Sequence, residues 1–145
     1  MFYELPDKEL SITALFIDNQ GTFYIGTSHK GLYTLTSSMK LNHPISSESN
    51  ITSIYQDSDD DIWSGSWEHG LYLISKENVF NFKNIPQNKN SIQSDFVRSC
   101  CEDNQGNIWI APSSGLTAII KRRKSLSIIW LTGNRTDLLT RLYGL

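Results

Sequence analysis

Trp67, Glu68 and His69 stand in a row, an indole beside a carboxylate and an imidazole. An exposed indole offers a stacking face and its two neighbours offer hydrogen-bonding groups, a combination that suits a sugar ring. The other reading of Trp67 is a ring lying over the edge of its own sheet. His29 and Lys30 occupy a similar place upstream, in Ser28-His29-Lys30-Gly31. These five residues form the candidate ligand-binding set. His29 and His69 differ by one residue in their distance from the following glycine, and no nearby ligands have metal-type spacing, so no metal is expected. Asp57, Asp59, Asp60 and Asp61 supply oxygens enough for calcium, yet the segment lacks the glycine and distal glutamate of the calcium loop and reads as a solvated turn. Cys100 and Cys101 are adjacent in a strand-like segment, so their side chains point to opposite faces and do not pair. Gly-x-Ser-x-Gly, His-Glu-x-x-His and phosphate-loop patterns are missing from the sequence, so no catalytic residue is assigned and no cofactor is expected.

The elements that must position these groups come from a repeat. Ile12 to Leu35, Ile51 to Ile74 and Val97 to Leu116 align on an aspartate, an aromatic residue and a Gly-Leu pair. The aspartates are Asp18, Asp57 and Asp103. The aromatics six positions on are Tyr24, Trp63 and Trp109, and the glycines are Gly31, Gly70 and Gly115. Aspartate to aspartate the periods are 39 and 46 residues, in the range of four-stranded propeller blades. The apolar alternation before each aspartate, rich in β-branched and aromatic residues, is strand composition. Asp-Asn-Gln-Gly at 18 to 21 and 103 to 106, and Asp-Ser-Asp-Asp at 57 to 60, are hairpin turns. Second strands are expected over Phe23 to Thr27, Ile62 to Ser66 and Ile108 to Ala111. Third strands open on Gly-Leu, and fourth strands are expected at Met39 to His43 and Val79 to Lys83. The matching positions of Trp63 and Trp109 predict that both are buried between sheets.

This pattern resembles the two-component regulator propeller repeat, roughly V-x-S-I-x-x-D-x-x-G-x-I-W-x-G-T-x-x-x-G-L, over residues 11 to 116. The resemblance implies an all-β partial propeller of about three four-stranded antiparallel blades, too few to close a ring alone. It further implies the sensor region of hybrid two-component histidine kinases of Bacteroidetes, which are periplasmic and detect oligosaccharides. The function it suggests is non-catalytic ligand sensing, with an oligosaccharide as the partner. This chain carries no kinase or receiver motif. The alternatives are a propeller lyase or glycosidase fragment, for which Glu68 and His69 are the polar candidates, and a protein-binding repeat module.

The expected organisation is an outer strand of a preceding blade at 1–10, blades at 11–47, 48–91 and 92–131, and a tail at 132–145. The third blade departs from the repeat after Leu116, where the basic run Lys121 to Lys124 stands between two further expected strands, Leu116 to Ile120 and the apolar Leu126 to Leu131. Asp137 to Tyr143 is expected as a short helix. Residues 1–10 carry acids and a proline rather than the basic start and apolar run of an export signal, so the location is left open. The formal charge of −2 with 19% charged residues gives no general attraction to nucleic acid, and no segment is long and apolar enough to span a membrane. Three blades leave apolar end faces that would be covered by further blades of a longer sensor or by self-association.

Overall fold

The computed structural model describes residues 4–76, 78–122 and 125–131. Among them there is no helix, and twelve strands form three four-stranded antiparallel sheets. The first sheet holds β1 (Ile12–Ile17), β2 (Phe23–Thr27), β3 (Leu32–Leu35) and β4 (Leu41–Ile45) in chain order. The second holds β5 (Asn50–Gln56), β6 (Ile62–Trp67), β7 (Leu71–Ser75) and β8 (Asn78–Phe82). The third holds β9 (Val97–Glu102), β10 (Ile108–Pro112), β11 (Leu116–Arg122) and β12 (Ser125–Leu131). This is the expected blade architecture. The fourth strand of the first sheet starts at Leu41 rather than Met39, because Met39 takes the left-handed conformation, φ 62°, in the turn that precedes it. Residues 4–10 form no strand, which corrects the expectation over that part of 1–10. Residues 1–3, Glu77, Arg123, Lys124, the tail at 132–145 and the expected helix at Asp137 to Tyr143 lie outside the described residues.

Successive sheets meet through their first strands: β1 and β2 pack on β5, and β5 and β6 pack on β9. Cross-strand partners share a face, so each sheet has one face toward the sheet before it and one toward the sheet after it. Between the first two sheets, Ala14, Tyr24, Leu32 and Ile45 meet Ile51, Ile54, Tyr72 and Ile74. Between the second and third, Trp63, Leu71, Leu73 and Tyr55 meet Val97, Ile108, Ile110 and Ile119. Trp63 is wholly buried there, whereas Trp109 is only half-buried. The expected equal burial of the two tryptophans therefore does not hold, since no described sheet packs on the far face of the third.

The sheets are also tied by polar bonds that repeat in register. The Asn19 N–H donates to Gln56 Oε1 at 3.3 Å, and the Ser58 N–H donates to Glu102 Oε2 at 2.8 Å. Each donor follows a turn aspartate and each acceptor precedes the next one. At the other end of the inner strands, Thr13 Oγ1 donates to the Ile51 carbonyl at 2.6 Å and Thr52 Oγ1 to the Val97 carbonyl at 2.5 Å. Thr13 and Thr52 both sit where the pairing to the second strand slips by one residue, a bulge that re-aims the side chain toward the neighbour.

Candidate functional site

The turn aspartates explain the repeat's spacing. Asp57 Oδ1 accepts the N–H groups of Asp59 and Asp61, at 2.9 and 3.0 Å, closing the hairpin. Its other oxygen, Oδ2, accepts the Trp63 indole N–H at 2.7 Å. Asp103 repeats the arrangement with Gln105, Asn107 and the Trp109 indole, the last at 2.8 Å. Asp18 takes the N–H groups of Gln20 and Thr22. Burial, with the Asp18 charge beside it, pushes the Tyr24 hydroxyl up to about 12. Burial alone would raise the Asp57 and Asp103 carboxyls, but the hydrogen bonds to them outweigh it and hold both below the usual carboxylate value.

Asp57 has a further partner that the sequence pattern did not suggest. Lys121 Nζ, from β11, lies 2.6 Å from Asp57 Oδ2 and 2.5 Å from Asp59 Oδ2, with Asp61 Oδ2 at 4.0 Å. Desolvation would lower the Lys121 pKa, but its bonds to Asp57 and Asp59 raise it above the ordinary lysine value. The aspartate run considered for calcium thus has an ammonium group from the next sheet in its midst. The only sequence signal was the lysine in the segment that departs from the repeat. Among the described residues, no three His, Cys, Asp or Glu side chains are grouped to hold a metal.

The loops between second and third strands, where the candidate ligand residues lie, are built on glycine. Gly31 and Gly70 have φ of 70° and 77°, and a Cβ on either would overlap the carbonyl oxygen of the fourth strand, Ile45 or Phe82. That close approach lets the Gly31 N–H reach the Ser49 carbonyl at 2.9 Å and the Gly70 N–H reach Asp95 at 2.8 Å. These loops therefore adjoin the connections between sheets, as propeller topology requires. Outer-strand side chains hold them from the other side: a His43 ring nitrogen lies 2.6 Å from the Lys30 carbonyl, and Asn81 donates to the His69 carbonyl at 2.9 Å.

Within this frame His29 and Lys30 are exposed, with His29 in the left-handed conformation at φ 67°. Glu68, two residues before its glycine like His29, has φ 73° and is also exposed. Trp67 is 42% exposed, and its ring meets Phe96 edge-on at 4.9 Å and 88°. The His69 ring turns back to the Trp67 carbonyl at 3.3 Å. The structure thus sets Trp67 against Phe96, which the sequence reading missed, keeps Glu68 and His69 beside it on the same loop, and leaves His29 and Lys30 on a separate loop of the preceding sheet. A hollow of about 440 Å³ between the outer strands β8 and β12 is lined by Phe82, Asn90, Leu126, Ser127 and Ile128, and does not include the Trp67 loop.

Residues 45–68 and 91–114, each an inner-strand hairpin with the connection leading into it, match the two component regulator propeller family. Both segments are thus similar to the two component regulator propeller repeat. The match takes in the second and third copies of the repeat; the first, with Tyr24 in place of tryptophan, lies outside it. The extracellular domain of BT3049 from B. thetaiotaomicron, described as a hybrid two component system, superposes with TM-score 0.65 at 24% identity over 83% of this chain. That of BT4673 from the same organism gives 0.67 at 19% over 81%. This chain spans 16% of each of those chains. Virginiamycin B lyase from Staphylococcus aureus gives 0.66 at 12% identity, covering 91% of this chain and 45% of the lyase chain. At such identities the likeness is one of propeller fold. No curated protein sequence matches this chain.

Proposed function

We propose that this chain is a non-catalytic, ligand-sensing stretch of a propeller from a two-component signalling system, and that the ligand is an oligosaccharide. The repeat match and the likeness to sensor extracellular domains support the signalling context. The observation that carries the ligand reading is the Trp67 ring, exposed yet fixed edge-on against Phe96. A ring held in this way would stack on a sugar with little loss of side-chain freedom, and the adjacent Glu68 carboxylate and His69 imidazole would bond hydroxyl groups. His29 and Lys30, on the equivalent loop of the first sheet, would extend the contact to a second sugar unit.

The test is calorimetric titration of the purified chain and its Trp67→Ala variant with a panel of oligosaccharides, alongside an assay for product. Binding by the parent that the variant loses, without turnover, supports the proposal. Product formation would replace it with the lyase or glycosidase reading. Absence of sugar binding throughout would overturn it.

A further inference from the structure

The three sheets share one register, so each position on the face toward the preceding sheet can be compared in all three. Three residues before the aspartate stand Leu15, Ile54 and Cys100, and one residue before it stand Ile17, Gln56 and Glu102. Five residues after it stand Phe23, Ile62 and Ile108. In the second and third sheets this face is covered by the sheet before, and Ile62 and Ile108 are 2% and 0% exposed. In the first sheet Leu15, Ile17 and Phe23 are 63%, 50% and 38% exposed. The pairings Leu15 with Ile25 and Ile17 with Phe23 put all three on one patch. Among the described residues, what covers that face is Leu5 and Leu10, against Ile25, Tyr33 and Leu35 on its outer half. What is left open is the area that, one sheet along, receives β1 and β2.

The chain also carries the surface that mates with such a patch. The far face of the third sheet presents Trp109 paired with Cys101, the places held by Tyr24 with Phe16 and by Trp63 with Tyr55 in the two joints already formed. Trp109 is half-buried and Cys101 exposed. The geometry points to weak head-to-tail association, in which the third sheet of one copy docks on the Leu15, Ile17 and Phe23 patch of a second copy. Two residues depart from the built joints and account for the weakness. Ile17 replaces the Gln56 or Glu102 that accepts a turn N–H, and Ala111 replaces Gly26 and Gly65, against which the next inner strand lies closely. A joint of this heterologous kind propagates or closes into a ring.

Sedimentation velocity on the full chain, from micromolar to submillimolar concentration, tests this. Reversible association is expected, weakened about tenfold or more by Leu15→Lys or Cys101→Arg, with thermal melts confirming that each variant stays folded. The two variants, mixed, should pair one to one, since each keeps one good face. Ile17→Gln and Ala111→Gly, which restore the repeat's own joint chemistry, should each tighten association. A monomer at every concentration overturns the inference. So does failure of the mixed variants to pair, or weaker association of Ile17→Gln, which would mark the patch as a greasy surface and not a blade joint.

Discussion

The Trp63 indole donates to the carboxylate of Asp57, six residues back along the chain, at 2.7 Å. One short bond thereby joins the turn to the buried centre of the joint between the second and third sheets, so the hairpin and the interface are expected to fail together. Trp63→Ala should cost on the order of 3 to 5 kcal/mol. Trp63→Phe, which keeps most of the ring but removes the indole donor and leaves Asp57 Oδ2 to the Lys121 ammonium, should cost about 1 to 3 kcal/mol. Urea unfolding of both variants checks this, and a parent-like midpoint for Trp63→Ala would remove the basis of the repeat's spacing.

Stability should depend on pH through Asp57 and Lys121. The folded Asp57 pKa is depressed, so its contribution is complete above the unfolded value of about 3.9 and is lost as pH falls through the lower folded value. The folded Lys121 pKa is raised, so its contribution is complete below about 10.4 and is lost as pH rises through the higher folded value. Between those limits the ion pair gives a plateau. Lys121→Met should abolish the alkaline loss assigned to this pair. Because Asp57 keeps its indole and backbone donors, the variant should lower neutral-pH stability by about 1 to 3 kcal/mol. Thermal melts across the pH range would show the plateau and its change.

Two glycines with nearly the same backbone should respond differently to alanine. Gly21, φ 79°, has open space where a Cβ would stand, while Gly70, φ 77°, has the Phe82 carbonyl there. Gly21→Ala should cost about 1 to 2 kcal/mol, the left-handed penalty alone. Gly70→Ala should add about 1 to 3 kcal/mol of overlap to that penalty. Equal losses in parallel denaturation curves would refute the claim that the fourth strand's closeness is what requires Gly70.

The adjacent cysteines should alkylate selectively. Burial, with Cys101 adding to the rise and Ser53 opposing it, pushes the Cys100 thiol up to about 12, and its side chain packs against the core between the second and third sheets. Cys101 is exposed on the opposite face. Mass spectrometry after brief iodoacetamide treatment at mildly alkaline pH should find the label on Cys101, since the thiolate is the reactive form. Equal labelling of both would mean that the third sheet opens readily.

Much of the fold was legible because a repeated sequence reports its constraints several times over. Asp18, Asp57 and Asp103 marked the hairpins, and the Gly-Leu pairs marked the third strands. The bonds that give those residues their spacing were not legible, because a carboxylate can meet an indole six residues on only once the hairpin has folded. Lys121 escaped notice for a related reason: its partner Asp57 lies 64 residues away, and no local pattern records such a contact. Of the candidate site, Trp67, Glu68 and His69 were visible as neighbours in sequence. Phe96, which fixes the indole, reaches it only through the connection between sheets.

The repeated ties between sheets have a genetic consequence. Asn19 and Ser58 offer the same backbone donor, Gln56 and Glu102 the same acceptor position, and Thr13 and Thr52 the same hydroxyl. A crossover between the first and second copies that removed one period of the gene would bring Asn19 to Glu102 and Thr13 to the Val97 carbonyl, re-forming the polar contacts that the deletion had cut. A propeller wired in this way can lose or gain a blade by unequal recombination and still present matched surfaces at the new junction, so blade number is free to drift while the joint chemistry stays the same.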